Sequence, residues 1–256
     1  MIEAREGAPD YRPQVGNAAG NAPVVLVCEH ASNAIPARFG GLGLAPGDEW
    51  SHAASDPGAL GVARAMASVL DAPLVAATVS RLGHDCNRPA GAREAMPEKT
   101  EEIAIPGNAD LFASDRDARA RLVHAPFHAA LSATIAARPV PPALVTVHSV
   151  TPVWHGLPRA VEIGILHDSN ARLAEAMLAL APFHTGHVVA RNEPYGPVDG
   201  VTHTLRLHGV GRGLVNVMLE IRNDLIADDA AQVRMGTLLA GLLSEALVAM
   251  GQGAAP

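Results

Sequence analysis

The chain has 256 residues, a formal net charge of −7 and only two cysteines. This length permits one large α/β domain, and we expect residues 23–256 to form it behind a loose leader of residues 1–22. Scattered basic residues on an acidic chain argue against nucleic-acid binding. No apolar run approaches the roughly 20 residues of a membrane span. The sparse cysteines and the absence of a signal-peptide pattern predict a cytoplasmic protein.

Predicted strands and helices alternate along the chain. Apolar runs predict strands at about 23–28, 74–79, 143–147, 161–166, 188–190 and 214–219. Helical periodicity and helix-start signals predict helices at about 57–71, 115–137, 170–180 and 228–250. Stretches rich in glycine and proline predict long loops at 83–114 and 191–200. The alternation indicates a three-layer α/β/α fold with a mostly parallel, mixed sheet.

Four of the predicted strands run directly into polar side chains. The residues at these strand ends are His30, Arg81, His148 and Glu220. In open α/β sheets, ligands bind beyond the carboxyl ends of the strands. The pattern therefore predicts one site assembled from the whole chain.

His30 and His148 are candidate metal ligands. Two imidazoles and a carboxylate, with a fourth position left to water, form the usual donor set of hydrolytic zinc sites. The alternative is that each is a hydrogen-bonded histidine at the rim of a pocket. Glu220 is a candidate general base, and its alternative is a salt bridge with Arg222.

Arg81, Asn87 and Arg88 are candidates for binding negative charge. Guanidinium and carboxamide groups on one loop match the geometry of a substrate carboxylate. Arg81 is also placed to stabilise the oxyanion of a tetrahedral intermediate. Surface arginines on a solvated loop are the alternative interpretation.

Other candidates carry weaker signals. His124 and His128 have the spacing of metal ligands on a helix but lack the glutamate of His-Glu-x-x-His, so a groove face is the simpler interpretation. Cys28 is a possible thiol nucleophile, although a thiol inside an apolar run is usually inert. Tyr195 and His203 are candidates for lining the substrate pocket, and an ordinary turn explains the loop around Tyr195 equally well.

Taken together, these residues resemble the N-formylglutamate amidohydrolase family, which is similar in plan to zinc carboxypeptidases and aspartoacylase-like deacylases. The matching pieces are Glu29-His30-Ala31-Ser32 with Pro36, Asp56, Ser80-Arg81, Asp85-x-Asn87-Arg88-Pro89, His148-Ser149 and Glu220-Ile221-Arg222-Asn223-Asp224. The resemblance implies a zinc-carboxypeptidase-like fold. It also implies Zn²⁺ held by His30 and His148, Glu220 as the base, and a substrate bound through Arg81, Asn87 and Arg88.

The third metal ligand departs from the carboxypeptidase pattern. Those enzymes use His-x-x-Glu, whereas the corresponding position here is Asn33. Asp56 matches an aspartate of the amidohydrolase pattern and is the preferred ligand. Glu29 is the rival, but it neighbours His30 on a strand and is expected to point to the opposite face.

The resemblance implies a zinc-dependent amidohydrolase that cleaves N-formyl-L-glutamate, or a similar N-acyl acidic amino acid, to formate and the free amino acid. Its partner is then a small-molecule N-acyl amino acid. The alternatives are a deacylase or carboxypeptidase acting on another N-acyl amino acid or short peptide, a thiol amidohydrolase using Cys28, and a non-catalytic carboxylate- or metal-binding protein. The sequence leaves the oligomeric state open.

Overall fold

A seven-stranded mixed sheet forms the middle of the molecule in a computed structural model, which describes residues 11–100 and 103–252. The strands are β1 (Gln14–Gly16), β2 (Val24–Cys28), β3 (Leu74–Ala76), β4 (Ala143–Val150), β5 (Ile163–Leu166), β6 (Val189–Arg191) and β7 (Asn216–Arg222). Their order is β1-β3-β2-β4-β7-β5-β6. The β1–β3 and β7–β5 pairs are antiparallel and the other pairs are parallel. The predicted α/β fold with a mostly parallel, mixed sheet is confirmed.

Five α-helices of the described residues flank the sheet. They are α1 (Ala59–Leu70), α2 (Ala113–Arg119), α3 (Ala125–Ala136), α4 (Arg172–His184) and α5 (Asp229–Ala249). A π-helical turn, Ala120–His124, joins α2 to α3. The helix predicted at 115–137 is therefore one continuous helical stretch. None of the described helices is long and apolar enough to cross a membrane.

The inner strands β2, β3, β4, β5 and β7 are buried on both faces because helices cover each side of the sheet. On one face, Leu26 and Val145 pack against α1, α4 and α5. On the other face, Val27 and Leu144 pack against Phe127 of α3. Neighbouring positions along a strand thus serve opposite layers, as the two-residue period of a strand requires. The result is the predicted three-layer arrangement.

Residues 11–22, the described part of the expected loose leader, include one strand of the sheet. Residues 14–16 form β1, which pairs with β3 at the edge of the sheet. All three side chains are exposed, so no hydrophobic pattern announces this strand. Edge pairing needs only backbone hydrogen bonds, which composition does not report. Residues 1–10 of the predicted leader lie outside the described residues.

β4 and β7 extend further than their apolar runs. Their parallel pairing continues through His148 opposite Glu220 and ends with Val150 opposite Arg222. His148 and Glu220 therefore lie inside the two strands, whereas the sequence predicts them just beyond the strand ends. The polar side chains ended the apolar pattern without ending the backbone pairing.

Candidate active site

Segments far apart in the chain meet at one cavity of about 350 Å³, which opens at the carboxyl ends of β2, β3, β4 and β7. The four strand-end candidates all line it, namely His30, Arg81, His148 and Glu220. Asp56, Asp85, Asn87, Arg88 and Tyr195 also line the cavity. The structure therefore brings together every predicted site residue except His203.

Three buried side chains converge on a single point in this cavity. His30 Nδ1 lies 3.2 Å from Asp56 Oδ2, and His148 Nδ1 lies 2.9 Å from the same oxygen. The two Nδ1 atoms are 3.2 Å apart. Ligand atoms around a tetrahedral ion with bonds of about 2.0 Å lie about 3.3 Å apart. The three donor atoms thus have the spacing of three ligands to one ion, and they are one of two groups of described residues that could hold a metal.

The backbone brings these three ligands together. His30 follows the end of β2, and His148 is fixed within β4. Asp56 precedes α1, and its backbone N–H donates to the His30 carbonyl at 3.0 Å. The peptide of Ser149 also donates to Asp56 Oδ2, at 3.3 Å. Direct backbone contacts therefore hold the carboxylate against both imidazoles.

The second nitrogen of each imidazole contacts a carboxylate. His148 Nε2 lies 3.1 Å from Glu29 Oε2, and His30 Nε2 lies 2.8 Å from Asp85 Oδ1. A ligating histidine characteristically gives its other ring N–H to such a group, which sets the tautomer and orients the ring. Asp56 is thus the carboxylate at the shared point, and Glu29 lies on the far nitrogen of His148.

The sequence does not predict the supporting contacts of Glu29 and Asp85. Its patterns indicate Glu29 only as a rival ligand and Asp85 only as part of a family motif. A weak signal did exist, because Glu29 precedes His30 directly and Asp85 lies two residues before Asn87. The contact of Glu29 with His148 joins residues 119 positions apart, so local spacing could not reveal it.

Charge at this site favours a cation. Burial by itself would lower the pKa of His148, but Glu29 and Asp56 outweigh it and raise that pKa well above its usual value. Burial would raise the pKa of Asp56, but His30 and Arg81 hold it well below its usual range. The Asp56 carboxylate is therefore ionised. The carboxylates of Glu29, Asp56 and Asp85 all contact the two imidazoles, so a positive ion in place of the ring protons would be electrostatically stabilised here.

Glu220 faces this cluster from β7. Its side chain is buried, and its Oε2 has no hydrogen-bond partner among the described residues. Burial raises its pKa to about 7, a value suited to proton transfer near neutral pH. The alternative salt bridge with Arg222 is not formed, because Arg222 pairs with Asp224 at 2.8 Å and with Glu162 at 3.4 Å. The carboxylate is left available for chemistry.

The Arg81 guanidinium is held by two backbone carbonyls, and its third nitrogen lies beside Asp56 and His30. Its Nε donates to the Ala53 carbonyl at 2.8 Å, and its Nη2 donates to the His52 carbonyl. Its Nη1 lies 3.3 Å from Asp56 Oδ1 and 3.3 Å from His30 Nδ1. The guanidinium is thus held in place with one nitrogen beside the cluster of His30, Asp56 and His148.

Asn87 and Arg88 occupy the same loop but make different contacts. The Asn87 amide donates to the Val201 carbonyl, and its Oδ1 accepts from the Thr204 N–H at 3.0 Å. Both ends of this buried amide therefore tie the loop to the segment that follows residue 200. Arg88 donates from Nη1 to the Asp199 carbonyl at 2.9 Å, and its side chain borders the cavity.

Tyr195 and His203 have different locations. Tyr195 lines the cavity, and its hydroxyl accepts a hydrogen bond from Arg159 Nη2 at 2.7 Å. His203 is absent from the described lining and contacts other histidines, with ring centroids 5.5 Å from His128 and 5.9 Å from His124. Its predicted place in the substrate pocket is therefore corrected.

Cys28 is unsuited to be a nucleophile. It is fully buried among the apolar side chains under α1 and α5. Burial raises the pKa of its thiol well above the usual value, so the reactive thiolate is disfavoured. The sulfur contributes to packing.

Comparisons with known proteins show the family of the chain. A family model described as N-formylglutamate amidohydrolase matches residues 22–227. No curated protein matches the chain. Among solved structures, the gene product Atu2144 from Agrobacterium tumefaciens is 51% identical, with a TM-score of 0.90 over 94% of this chain and 96% of that chain.

Two further solved structures are more distant. An N-formylglutamate amidohydrolase from Ralstonia eutropha JMP134 is 20% identical, with a TM-score of 0.58 over 91% of this chain and 96% of that chain, and shares the fold. A metallo-carboxypeptidase from Burkholderia cenocepacia is 11% identical, with a TM-score of 0.36 over 93% of this chain and 65% of that chain.

Proposed function

Because the chain belongs to the N-formylglutamate amidohydrolase family, we propose that it hydrolyses N-formyl-L-glutamate to formate and glutamate. Membership makes it an amidohydrolase, and the proposal concerns its substrate and its metal. The observation that carries the proposal is the meeting of His30, Asp56 and His148 with Glu220 around one cavity.

The proposed metal is a single Zn²⁺ held by His30 Nδ1, Asp56 Oδ2 and His148 Nδ1. Donor spacings of 2.9 to 3.2 Å and two supporting carboxylates, Glu29 and Asp85, favour this assignment. When bound, the ion would supply Lewis-acid chemistry, lowering the pKa of a water molecule and polarising the substrate carbonyl. The remaining chemistry belongs to residues of the chain.

Glu220 moves the proton in the proposed reaction. It takes a proton from the water that adds to the formyl carbon. It then gives this proton to the amide nitrogen as the C–N bond breaks, so glutamate leaves with a neutral amine. Arg81 Nη1, beside Asp56 Oδ1 at 3.3 Å, is proposed to donate to the oxygen that becomes negative between these steps.

Recognition of an acidic substrate is proposed to come from the cationic side chains of the cavity. Arg81, Arg88 and Lys99 all line it. Arg88 is assigned to a substrate carboxylate, because its fork of N–H donors matches that group. The Tyr195 hydroxyl contributes a further polar contact. Asn87 is assigned to holding the loop in position, since its amide is bonded to the backbone at both ends.

A second candidate is a deacylase for another N-acyl acidic amino acid. The cavity of about 350 Å³ falls in the range of roughly 300–1,000 Å³ that holds small ligands, so the acyl group need not be formyl. Formyl and acetyl substrates with the same amino acid distinguish the two candidates.

The experiment combines metal analysis with a substrate panel. The purified protein is assayed for formate release from N-formyl-L-glutamate before chelation, after chelation and after Zn²⁺ is restored. N-formyl-L-leucine and N-acetyl-L-glutamate are the comparison substrates. We expect activity to disappear on chelation, to return with Zn²⁺ and to be highest on N-formyl-L-glutamate. Undiminished activity after complete metal removal would refute the metal assignment, and preference for the leucine compound would refute the substrate.

A further inference from the structure

Five histidines outside the catalytic cavity form a second cluster. They are His84, His124, His128, His203 and His208, and the ring centroids of neighbouring members lie 4.1 to 5.9 Å apart. None of the five is among the described residues that line the cavity. The proposed reaction uses none of them, so their concentration in one place calls for another explanation.

Two members of this histidine cluster have a defined tautomer. His124 Nε2 contacts the Arg88 carbonyl at 3.1 Å, and His128 Nε2 contacts the Cys86 carbonyl at 2.9 Å. A carbonyl oxygen only accepts, so both Nε2 atoms carry the proton. A neutral imidazole protonated at Nε2 leaves a lone pair on Nδ1. The two residues are one helical turn apart, so both lone pairs lie on one side of the α2–α3 helical stretch.

His203 approaches the same point from another segment. Its Nε2 is buried and has no hydrogen-bond partner among the described residues. One nitrogen from each of His124, His128 and His203 lies within 4.8 Å of the other two. A buried nitrogen without a partner is unfavourable unless a ligand or water satisfies it.

We propose that His124, His128 and His203 bind a divalent transition-metal ion, at a site separate from the catalytic centre. Imidazole nitrogens suit ions such as Zn²⁺, Ni²⁺ and Cu²⁺. The carbonyl contacts of His124 and His128 are the supporting hydrogen bonds that metal-ligating histidines usually make through their second nitrogen. The bonding pattern of the chain therefore orients two ligands before any ion arrives.

Binding requires a small rearrangement. Ligand atoms around a tetrahedral ion with bonds of about 2.1 Å lie about 3.4 Å apart, so the rings must close by up to about 1.4 Å. His128 Nδ1 is 2.8 Å from His208 Nε2 and accepts a hydrogen bond from the N–H at that atom. His208 must release this hydrogen bond when the ion binds. It is consequently a competitor for the lone pair of His128.

Such an ion would join three segments that surround the substrate cavity. His124 and His128 belong to the α2–α3 stretch and donate to the carbonyls of Arg88 and Cys86. His203 lies between Val201 and Thr204, which are both bonded to the Asn87 amide. Occupancy of this site would therefore stiffen the loop that carries Arg88. The site requires no catalysis, so it can be tested independently of the proposed function.

The test counts Zn²⁺ ions bound by full-length protein after chelation and retitration. Four variants are compared with the wild type: H30A/H148A, H124A/H203A, their quadruple combination, and H187A as a control histidine that contacts Glu162 outside both clusters. We expect two equivalents for the wild type and H187A. We expect one equivalent for each double variant and none for the quadruple variant.

The outcomes separate the two sites. If H124A/H203A binds as many ions as the wild type, the second site is refuted whatever happens at the catalytic centre. If H30A/H148A loses nothing while H124A/H203A loses one ion, the second site is supported and the catalytic zinc fails. X-ray absorption of H30A/H148A loaded with one Zn²⁺ examines the second site while its own histidines are intact. Three imidazole ligands would support the site, and a shell of oxygen ligands alone would overturn it.

Discussion

Replacing Glu220 by Gln should change activity and stability in opposite directions. The carboxylate is buried, its Oε2 has no hydrogen-bond partner among the described residues, and its pKa is raised from 4.5 to about 7. A side chain placed for packing alone would not be kept ionised at this cost. Glutamine preserves the shape and removes both the charge and the ability to accept a proton.

The stability effect follows from the two pKa values. Burial places the folded-state pKa above the unfolded value of 4.5, and this difference corresponds to about 3 kcal/mol. An ionised Glu220 therefore destabilises the metal-free protein, with no cost well below pH 4.5, a growing cost up to pH 7 and the full cost above it. At pH 8 the metal-free Glu220→Gln variant should be more stable by up to about 3 kcal/mol, with a smaller gain at pH 5.

The activity effect follows from the loss of the proton carrier. Removal of a general base typically lowers the rate by about 10² to 10⁴-fold, which is about 3 to 5 kcal/mol in the activation barrier. We expect this loss in kcat for N-formyl-L-glutamate, with little change in KM or in Zn²⁺ content. Formate release at pH 8 measures the activity, and urea unfolding of chelated protein at pH 5 and pH 8 measures the stability.

Glu245→Gln is the matched control. Glu245 is exposed and pairs with His184 on the helical surface, so the same chemical change there should alter neither quantity. The reasoning is refuted if Glu220→Gln keeps more than a tenth of the wild-type kcat. It is also refuted if the variant is less stable than the wild type at pH 8.

Three other substitutions test the surroundings of the site. Glu29→Gln should weaken Zn²⁺ binding about 10- to 100-fold, because Glu29 contacts the Nε2 atom of His148. Competition with a chromogenic chelator measures the Zn²⁺ affinity, and an unchanged affinity would contradict this prediction. Gly200→Ala places a Cβ 2.7 Å from Arg88 Nη1 at a φ of +69°, so KM should rise several-fold and the free energy of unfolding should fall by about 1 kcal/mol. Cys28→Ala should retain the wild-type kcat, and a zinc-replete but inactive variant would revive the thiol mechanism.

The central strands were predictable because their environment is uniform. β2, β4 and β7 are buried on both faces, so each leaves a continuous apolar run in the sequence. The helical periodicity that predicts a helix at about 228–250 corresponds to the inner face of α5, where Met235 and Leu239 are buried. β1 was missed because its pairing depends on backbone groups alone, and its three side chains are exposed.

The sequence predicted which side chains meet at the site, but not the long-range contacts that hold them there. Strand-end polarity indicated His30 and His148 as neighbours, and the structure brings their Nδ1 atoms within 3.2 Å. The function of the Asn87 amide depends on Val201, 114 positions away. No local pattern encodes such a contact. The contact of His208 with His128 was not predictable for the same reason, since only the fold brings these two residues together.

The two halves of the proposed reaction centre differ in mechanical character. Glu220 and His148 are locked opposite each other on neighbouring central strands, whereas Arg88 and Tyr195 extend from connecting segments. Exchanging those segments for others of similar length should therefore change the preferred acyl amino acid without moving the proposed catalytic residues on the strands. The architecture separates the choice of molecule from the chemistry performed on it, which makes this chain a practical scaffold for altered deacylases.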